Sequence, residues 1–374
     1  MTINVCYVLN TVSQTNAVTT LAAALAEYED VNVDILAWFN AESFDGDDRV
    51  DVYCVEAPRS TVGMTMRTYR DACSQFKKYD IIQAHTNHSG TFAKTIGYRL
   101  GIPLVSREGN TRDGFNRLGR VTNGLTNGFA DRIVPNSRAV YDSFTSWERL
   151  LIDDDDVEII PNGVDLDRID RARNSDYDIR QQFAIPEDAV VVGTVSVISE
   201  QKGYDTLVSA LAAANNRSDQ RLDLIIAGDG PRRSEVESQV DRLGMRDHVH
   251  FAGFVDRDTV YKILTEIDFY TMPSRWEGFA SAAVEALGAR NACVFSDIDP
   301  FLLPYRNVAL FHTLDDTDDL ADKLTELAEN PDQRQLYGTK GRRLVEQQYT
   351  LKKVAGQYAD LYADLLTEET PESA

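Results

Sequence analysis

The sequence predicts an α/β fold built from two doubly wound, Rossmann-like domains that face a central cleft. The chain has 374 residues, which is enough for two domains at roughly 100–200 residues each. Short runs rich in β-branched and aromatic residues alternate with helical patterns along the chain, and crossovers of this length join parallel strands. Hydrophobic residues make up 43% of the chain, so each domain can bury a core.

The first half carries predicted strands separated by predicted helices. The strands cover residues 3–9, 31–39, 50–55, 80–84, 103–107, 132–135 and 157–160. The helices cover residues 17–28, 64–78, 90–100, 117–130 and 137–147. The first domain is expected to span residues 1–165, because the charged stretch after Pro161-Asn162-Gly163 contains no strand.

The second domain is expected to span residues 166–349 with the same alternation. Its strands cover residues 190–198, 222–227, 249–252, 269–272, 292–295 and 308–311. Its helices cover residues 204–215, 232–243, 258–265, 281–288, 318–329 and 332–347. Residues 350–374 should add a last helix, over 351–366, and the acidic tail 368–374. Ligands of doubly wound sheets bind at the carboxyl ends of strands, so the residues that follow strands are the candidates for chemistry.

The charge balance excludes nucleic acid as a partner and leaves two explanations of the acidic composition. The chain has 40 Asp and 20 Glu against 29 Arg and 9 Lys, which gives a net charge of −22. Nucleic acid is not expected as a partner, because phosphate neutralisation needs a basic surface. The acidity indicates either ordinary solubility or a halophilic protein, and the excess of Asp with the scarcity of Lys favours the halophilic interpretation.

No targeting or metal-binding motif is visible. The first ten residues lack a basic segment and fit a strand, and no apolar run is long enough to cross a membrane. The four cysteines are too dispersed for a metal or redox motif, and Asp153–Asp156 fits a solvated loop better than a metal site. We therefore expect a soluble, cytoplasmic protein.

The strongest candidate site follows the predicted strand 269–272. A loop leads into a helix of small apolar residues, with Ser281 as a candidate N-cap whose neighbouring amides could bind a diphosphate. Glu285 lies one turn into this apolar helix, where a buried carboxylate needs hydrogen-bonding partners such as the hydroxyls of a ribose. Glu277 precedes the helix, closer to a sugar beyond the diphosphate. The alternative is that both glutamates are structural.

Three further segments follow strands of the second domain. Lys202 lies in a strand-to-helix turn and could reach a phosphate, although a solvated lysine is the simpler interpretation. Gly228-Asp229-Gly230-Pro231 lets the backbone turn sharply or approach a ligand closely. Phe254, after Gly253, could form a wall for a nucleobase.

Together these segments resemble the retaining glycosyltransferases of family 4, which have the GT-B fold. The matching motifs are Pro161-Asn162-Gly163-Val164-Asp165, Lys202-Gly203, Gly228-Asp229-Gly230-Pro231, the segment around Gly253, the pair Glu277…Glu285 of the E-x7-E pattern, and the closing segment from Tyr349 through Tyr362. The resemblance covers most of residues 155–366. It implies transfer of a sugar from a nucleotide-diphosphate-sugar donor to an acceptor hydroxyl with retention of configuration, by front-face attack and without a metal.

The resemblance also implies roles for single residues. Glu285 would hold the ribose, Glu277 the donor sugar, and Lys202 the diphosphate and the charge that develops on the leaving group. Gly230 and Phe254 would line the nucleotide site. The amides of Phe279, Ala280 and Ser281 would bind phosphate oxygens or the sugar.

The sequence departs from the family pattern in four places. Val197 stands where the family often has a second diphosphate-binding Arg, which Arg275 or another Arg would have to replace. Residues 11–16 replace the usual Gly-Gly loop, and residues 297–300 replace a Gly-Gly-Glu motif. The next predicted strand end, residues 106–111, lacks the family's cleft His, so His85, Glu108 and Asn110 become the acceptor-side candidates. The competing interpretation of His85 is a core histidine bonded to backbone.

Two alternatives and the acceptor stay open at this level. The departures favour a non-catalytic nucleotide-sugar-binding partner as one alternative, and another GT-B enzyme such as a nucleotide-sugar epimerase is the second. The acceptor could be a glycan or a lipid-linked molecule, because the helix 64–78 carries a basic stripe, Arg67, Arg70, Lys77 and Lys78, suited to weak peripheral contact with the inner face of a membrane. A solvated helix face explains the same stripe.

Overall fold

The computed structural model describes residues 2–12, 17–41, 48–59, 63–85, 87–174 and 178–368. The chain divides into two compact units, one formed by Met1–Gly163 with Leu351–Ala374 and the other by Val164–Thr350. Most of the loop 11–16 and of the acidic tail 368–374 lies outside the described residues.

The N-terminal unit is a parallel six-stranded sheet flanked by helices. Its strands are β1 (Ile3–Val12), β2 (Val31–Ala41), β3 (Val52–Cys54), β4 (Ile81–Ala84), β5 (Leu104–Glu108) and β6 (Arg132–Pro135). Its helices are α1 (Ala17–Leu25), α2 (Met66–Phe76), α3 (Asn87–Leu100), α4 (Arg117–Asn127), α5 (Arg138–Asp142) and α6 (Ser146–Arg149), and the C-terminal α16 (Leu351–Glu368) belongs to the same unit. The strand order is β3-β2-β1-β4-β5-β6.

The C-terminal unit repeats this topology. Its strands are β7 (Val190–Val195), β8 (Leu222–Ala227), β9 (Val249–Gly253), β10 (Phe269–Met272), β11 (Ala292–Ser296) and β12 (Leu310–His312). Its helices are α7 (Leu166–Ala172), α8 (Ile179–Phe183), α9 (Tyr204–Arg217), α10 (Arg233–Arg242), α11 (Arg257–Glu266), α12 (Ser281–Gly288), α13 (Asp299–Tyr305), α14 (Thr317–Glu329) and α15 (Pro331–Gln348). The order β12-β11-β10-β7-β8-β9 reverses direction between β7 and β10, which is where ligands of this fold bind.

Both sheets have the buried, hydrophobic strands expected when helices cover two faces. All residues of β4, β8, β10 and β11 are buried. The predicted fold of two doubly wound parallel sheets is therefore confirmed.

The C-terminal helix α16 packs within the N-terminal unit. Its buried apolar side chains, such as Val354, join the core formed by β1 and β2. The Tyr362 hydroxyl donates to the Gln83 side chain at 2.7 Å and lies 2.8 Å from the Tyr7 hydroxyl. Buried polar groups that are bonded in this way fix the position of a helix more closely than apolar contact alone.

The local predictions differ from the structure in three places. Residues 157–160 do not form a strand, because only Val157 makes an isolated bridge, to Ile133. The described residues of the stretch after residue 165 form no strand, as predicted, but they include the short helices α7 and α8, which begin at the side-chain caps Asp165 and Asp178. Helix α13 was missed because Pro300 and Pro304 suggest a loop, although Pro300 lies in its first turn, where proline is tolerated.

Within the described ranges, no helix has the length and hydropathy needed to cross a membrane. The same residues contain no cluster of three His, Cys, Asp or Glu side chains suited to a metal ion. Asp154–Asp156 forms a 3-10 turn, in which Asp156 pairs with Arg132 at 3.1 Å.

Candidate functional site

The candidate site of the C-terminal unit lies at the carboxyl ends of β7 and β10. These strands are neighbours at the reversal of strand order, so the loops that follow them, residues 196–203 and 273–280, lie side by side. The Arg275 amide donates to the Gln201 carbonyl at 2.7 Å, and the Gln201 side chain donates to the Trp276 carbonyl at 2.8 Å. The two loops are therefore fixed to each other before any ligand binds.

Lys202 and Glu277 form an ion pair across these two loops. Lys202 ends a 3-10 turn, Glu200–Lys202, and Glu277 is buried, with Gln201 Nε2 3.4 Å from its second carboxylate oxygen. The sequence predicted both residues as ligand contacts but did not predict that they contact each other. An ammonium held by a buried carboxylate is positioned to bind an anion without a large loss of side-chain entropy.

Two glycines let the loops of this site approach each other closely. Gly203 has φ +62°, and a Cβ on it would lie 2.2 Å from the Pro273 carbonyl oxygen. A Cβ on Gly230 would lie 2.4 Å from the Ile198 carbonyl oxygen. The close approach of the Ile198 backbone is therefore sufficient to explain why residue 230 is a glycine. The sequence had predicted that Gly230 lines the nucleotide site.

Helix α12 begins differently from the prediction. Ala280, not Ser281, is its N-cap, with φ +53° and no side-chain capping bond, and Ser281 is the first helical residue. The N-cap prediction for Ser281 is therefore wrong, because the left-handed Ala280 already turns the loop into the helix. Phe279 packs against the Tyr349 ring, with 6.0 Å between ring centroids. The amides of Phe279, Ala280 and Ser281 still lie at the start of α12.

Glu285 is buried on α12, with 6% of its surface exposed, and it has protein partners. It forms an ion pair with Arg257 at the start of α11. Burial raises the pKa of the Glu285 carboxyl, and Arg257 opposes that effect. The sequence does not reveal Arg257 as the partner of Glu285, because 28 residues of chain separate the two and no local spacing links them.

The exposed residues of the site include one aromatic ring and one aliphatic side chain. Phe254, directly after β9, is 79% exposed, so its ring is available for stacking. Val197 is 58% exposed in the loop after β7. Arg275, the suggested replacement for the missing guanidinium, pairs with Asp205 at 2.8 Å and with Asp315 at 2.9 Å.

In the N-terminal unit, His85 directly follows β4 and is buried. Gln83 Nε2 lies 2.9 Å from His85 Nε2, and the His85 ring centroid lies 4.4 Å from that of Tyr7. Burial lowers the pKa of His85 well below its usual value, and the Arg107 charge lowers it further, so the imidazole is neutral. Its Nδ1 atom is buried without a hydrogen-bond partner among the described residues.

Glu108, an acceptor-side candidate, belongs to a buried ionic cluster instead. Arg112 donates to Glu108 at 2.8 Å and to Glu148 at 2.7 Å, and Asn123 donates to Glu108 at 2.8 Å. Lys94 is buried in the same cluster, and burial lowers its pKa to about 8. The Glu108 carboxylate is therefore committed to protein partners, whereas Asn110 is exposed.

Comparisons with known proteins match both halves of the chain. The family model of glycosyl transferases group 1 matches residues 175–344, and that of glycosyltransferase family 4 matches residues 14–168. A 2-deoxystreptamine glucosyltransferase from Streptomyces kanamyceticus is 30% identical over 132 residues, 35% of this chain and 34% of that protein. The O-antigen biosynthesis glycosyltransferase WclY from Escherichia coli is 25% identical over 210 residues, 56% of each chain. The chain thus spans less than two thirds of either relative.

The fold of the chain also matches solved structures over nearly its whole length. Anabaena HepE, solved in complex with UDP and glucose, aligns with a TM-score of 0.78 at 19% identity, over 97% of this chain and 100% of that chain. Such an alignment establishes the fold. With family matches over both units and two six-stranded Rossmann-like sheets, the chain has the GT-B fold, and both of its units resemble glycosyltransferases.

Proposed function

We propose that this protein transfers a sugar from a nucleotide-diphosphate-sugar donor to an acceptor hydroxyl with retention of anomeric configuration. The observation that carries the proposal is the Lys202–Glu277 pair at the junction of β7 and β10, close in sequence to the buried Glu285 on α12. The complex of HepE with UDP and glucose supports a nucleotide-sugar donor for a protein of this fold.

The donor would lie along the carboxyl ends of the C-terminal sheet. Glu285 would accept hydrogen bonds from the ribose hydroxyls, with Arg257 holding its carboxylate in place. The exposed Phe254 ring would stack on the base, and the amides at the start of α12 would bind phosphate oxygens or the sugar. Gly230 would shape the turn beside them.

Lys202 and Glu277 would share the chemical step. The Lys202 ammonium stabilises negative charge on the departing diphosphate, and Glu277 both orients that ammonium and accepts hydrogen bonds from sugar hydroxyls. The acceptor attacks from the face that the diphosphate leaves, and a phosphate oxygen takes the acceptor proton, so no enzymic nucleophile and no metal is required. His85, neutral and buried, would contribute on the acceptor side as a positioning residue.

The configuration of the product tests the proposal. Proton NMR of product formed from an α-linked donor should show an α-linkage, because front-face attack preserves the anomer. A β-linked product would overturn the retaining assignment while leaving the transfer itself in place.

A second candidate is a non-catalytic partner that only binds nucleotide sugars. It is favoured by Val197, which offers no guanidinium to the diphosphate, and by the commitment of Arg275 to Asp205 and Asp315. Calorimetry and turnover on the same preparation separate the two, since a partner binds the nucleotide but transfers no sugar to any acceptor.

For the acceptor, we propose a glycan or lipid-linked molecule. WclY, a relative of this chain, is a glycosyltransferase of O-antigen biosynthesis. The basic side chains Arg67, Arg70, Lys77 and Lys78 on and after α2 are exposed, which suits weak contact with anionic lipid at the cytoplasmic face of a membrane. Flotation with anionic and neutral vesicles checks this contact, and binding to neither kind would contradict it.

A further inference from the structure

The N-terminal unit contains a cavity of about 200 Å³ that the proposed donor chemistry does not use. Its polar lining comes from Arg107 near the end of β5, from the residues that follow β5 and β6 and from the segment 161–163, while side chains of α1 and α16 form its apolar wall. The polar lining residues are Arg107, Gly109, Asn136 and Asn162. A cavity of 150 Å³ can hold benzene, so this one has room for a molecule of about ten non-hydrogen atoms.

Arg107 is the charged residue that lines this cavity, and it has no acidic partner in the part of the chain that the structure describes. Its Nε donates to the Tyr358 hydroxyl at 3.0 Å, and its Nη2 donates to the Asn162 side chain. Among the described residues, no carboxylate lies within ion-pair distance of it, although acids outnumber bases by 60 to 38 in this chain. A half-buried guanidinium surrounded by neutral groups favours binding of an anion.

Asn136 lines the same cavity and carries a buried acceptor that has no partner among the described residues. It is 97% buried, since only 3% of its surface is exposed, and its Nδ2 donates to the Gly109 carbonyl at 3.2 Å. That bond fixes the orientation of the amide, and Oδ1 is left with no hydrogen-bond partner in the part of the chain that the structure describes. A buried acceptor of this kind calls for a ligand or water that donates a hydrogen bond.

Gly109 leaves open the space that these two side chains border. A Cβ built on Gly109 would lie 3.6 Å from Arg107 Nη1 and 3.8 Å from Asn136 Nδ2. Both distances are ordinary contacts, and Gly109 does not have a positive φ. The guanidinium and the amide therefore flank one point in the cavity, which a larger side chain at position 109 could occupy without backbone strain.

We propose that this cavity binds a small hydroxy acid, with its carboxylate on Arg107 and a hydroxyl that donates to Asn136 Oδ1. One guanidinium matches the single charge of a carboxylate better than the double charge of a phosphate monoester. The volume accommodates the carboxylate end of a sugar acid with its adjoining carbons. Such a carboxylate would belong either to a free effector or to the acidic sugar of the proposed acceptor.

Binding of D-glucuronate to the full-length protein tests the site directly. Titration followed by ligand-observed NMR should show saturable binding of glucuronate, at least tenfold weaker binding of glucose, and no competition by equimolar inorganic phosphate. Glucose that binds as tightly as glucuronate, or glucuronate that does not bind, would overturn the proposal. The measurement needs neither donor nor catalysis, so it stands or falls separately from the proposed transferase function.

Two variants locate the binding. Asn136→Asp keeps the shape of the side chain but gives Arg107 an internal carboxylate, and Gly109→Val fills the space between Arg107 and Asn136. Each should weaken glucuronate binding at least tenfold. Asn136→Asp should also lower the thermal midpoint, because its buried carboxylate cannot donate to the Gly109 carbonyl, whereas Gly109→Val should keep a midpoint close to that of the wild type. Undiminished binding in both folded variants would show that glucuronate binds elsewhere. Mass spectrometry after donor is added then separates the sources, since a glycosylated glucuronate identifies an acceptor and unmodified glucuronate identifies an effector.

Discussion

Lys202 and Glu277 form an ion pair that joins the loops after β7 and β10 in the C-terminal unit. The pair makes the two residues interdependent, because removal of the lysine leaves a buried carboxylate without its cation. A loss of activity in a single variant would therefore mix chemistry with stability. A pair of variants separates the two effects.

We expect Lys202→Met to lower kcat by about 10²–10³-fold, the usual effect of removing one electrostatic contact to a transition state. The same change should destabilise the protein by about 3 kcal/mol through the unpaired Glu277. The double variant Lys202→Met with Glu277→Gln should regain most of that stability and stay inactive. Urea unfolding and initial-rate kinetics measure both effects, and a double variant that regains activity would contradict the role of Lys202.

Glu285→Gln is expected to weaken donor binding by about tenfold or more, since a hydrogen bond to a charged group contributes roughly 1.5–3 kcal/mol. Arg257 would then lose its carboxylate partner, so Arg257→Gln provides the control for disruption of the ion pair alone. Calorimetric titration of the nucleoside diphosphate compares the two variants. If Glu285→Gln and the wild type bind the nucleoside diphosphate with equal affinity, Glu285 does not hold the ribose.

Gly203→Ala should destabilise the protein much more than Gly244→Ala. Both glycines have positive φ, +62° and +68°, so both substitutions cost about 1 kcal/mol of backbone strain. At position 203 the new Cβ would also lie 2.2 Å from the Pro273 carbonyl oxygen. At position 244 no atom would lie within 4 Å of the new Cβ. Thermal unfolding of the two variants checks the difference, and similar midpoints would mean that the loops at the site are not packed as described.

Acid should weaken the Glu108 cluster. Burial alone would raise the pKa of Glu108, but Arg112 and Lys94 outweigh it and lower the pKa from 4.5 to about 2. A depressed carboxyl pKa stabilises the fold above pH 4.5, here by about 3 kcal/mol, and this contribution is lost as the pH falls towards 2. Urea unfolding at pH 7 and pH 3 should show a smaller pH effect in Glu108→Gln than in the wild type. If the free energy of unfolding falls equally between pH 7 and pH 3 in Glu108→Gln and in the wild type, groups other than Glu108 cause the acid sensitivity.

Molar KCl should raise both the thermal midpoint and the activity if the net charge of −22 reflects a halophilic protein. Added salt screens the repulsion among exposed carboxylates, such as those of Asp315, Asp316 and Asp318. Thermal unfolding and turnover between 0.1 M and about 3 M KCl measure the effect. If the protein is as stable and as active at 0.1 M KCl as at about 3 M KCl, its acidity serves solubility and not adaptation to salt.

The sequence predicted the sheets well, because buried parallel strands form short apolar runs that are read locally. It also located Lys202, Glu277 and Glu285, since each follows a strand or lies on an apolar helix. It could not show that Arg257 holds Glu285 or that Asn123 and Asn127 donate to Glu108, because those contacts join residues distant in the chain. Asp165 and Asp178 cap the N-termini of α7 and α8, and aspartate is a typical N-cap residue. The two helices could therefore have been predicted, but the many charged residues of the segment suggested a loop.

Calorimetric titration with UDP, GDP and ADP tests the central claim most directly, namely that the loops after β7 and β10 with helix α12 bind a nucleotide-diphosphate sugar. The account predicts that at least one of the three nucleotides binds the wild type, and binds Glu285→Gln and the Lys202→Met, Glu277→Gln double variant at least tenfold more weakly. If no nucleotide binds, or if one binds wild type and both variants with the same affinity, the donor site does not lie where the account places it.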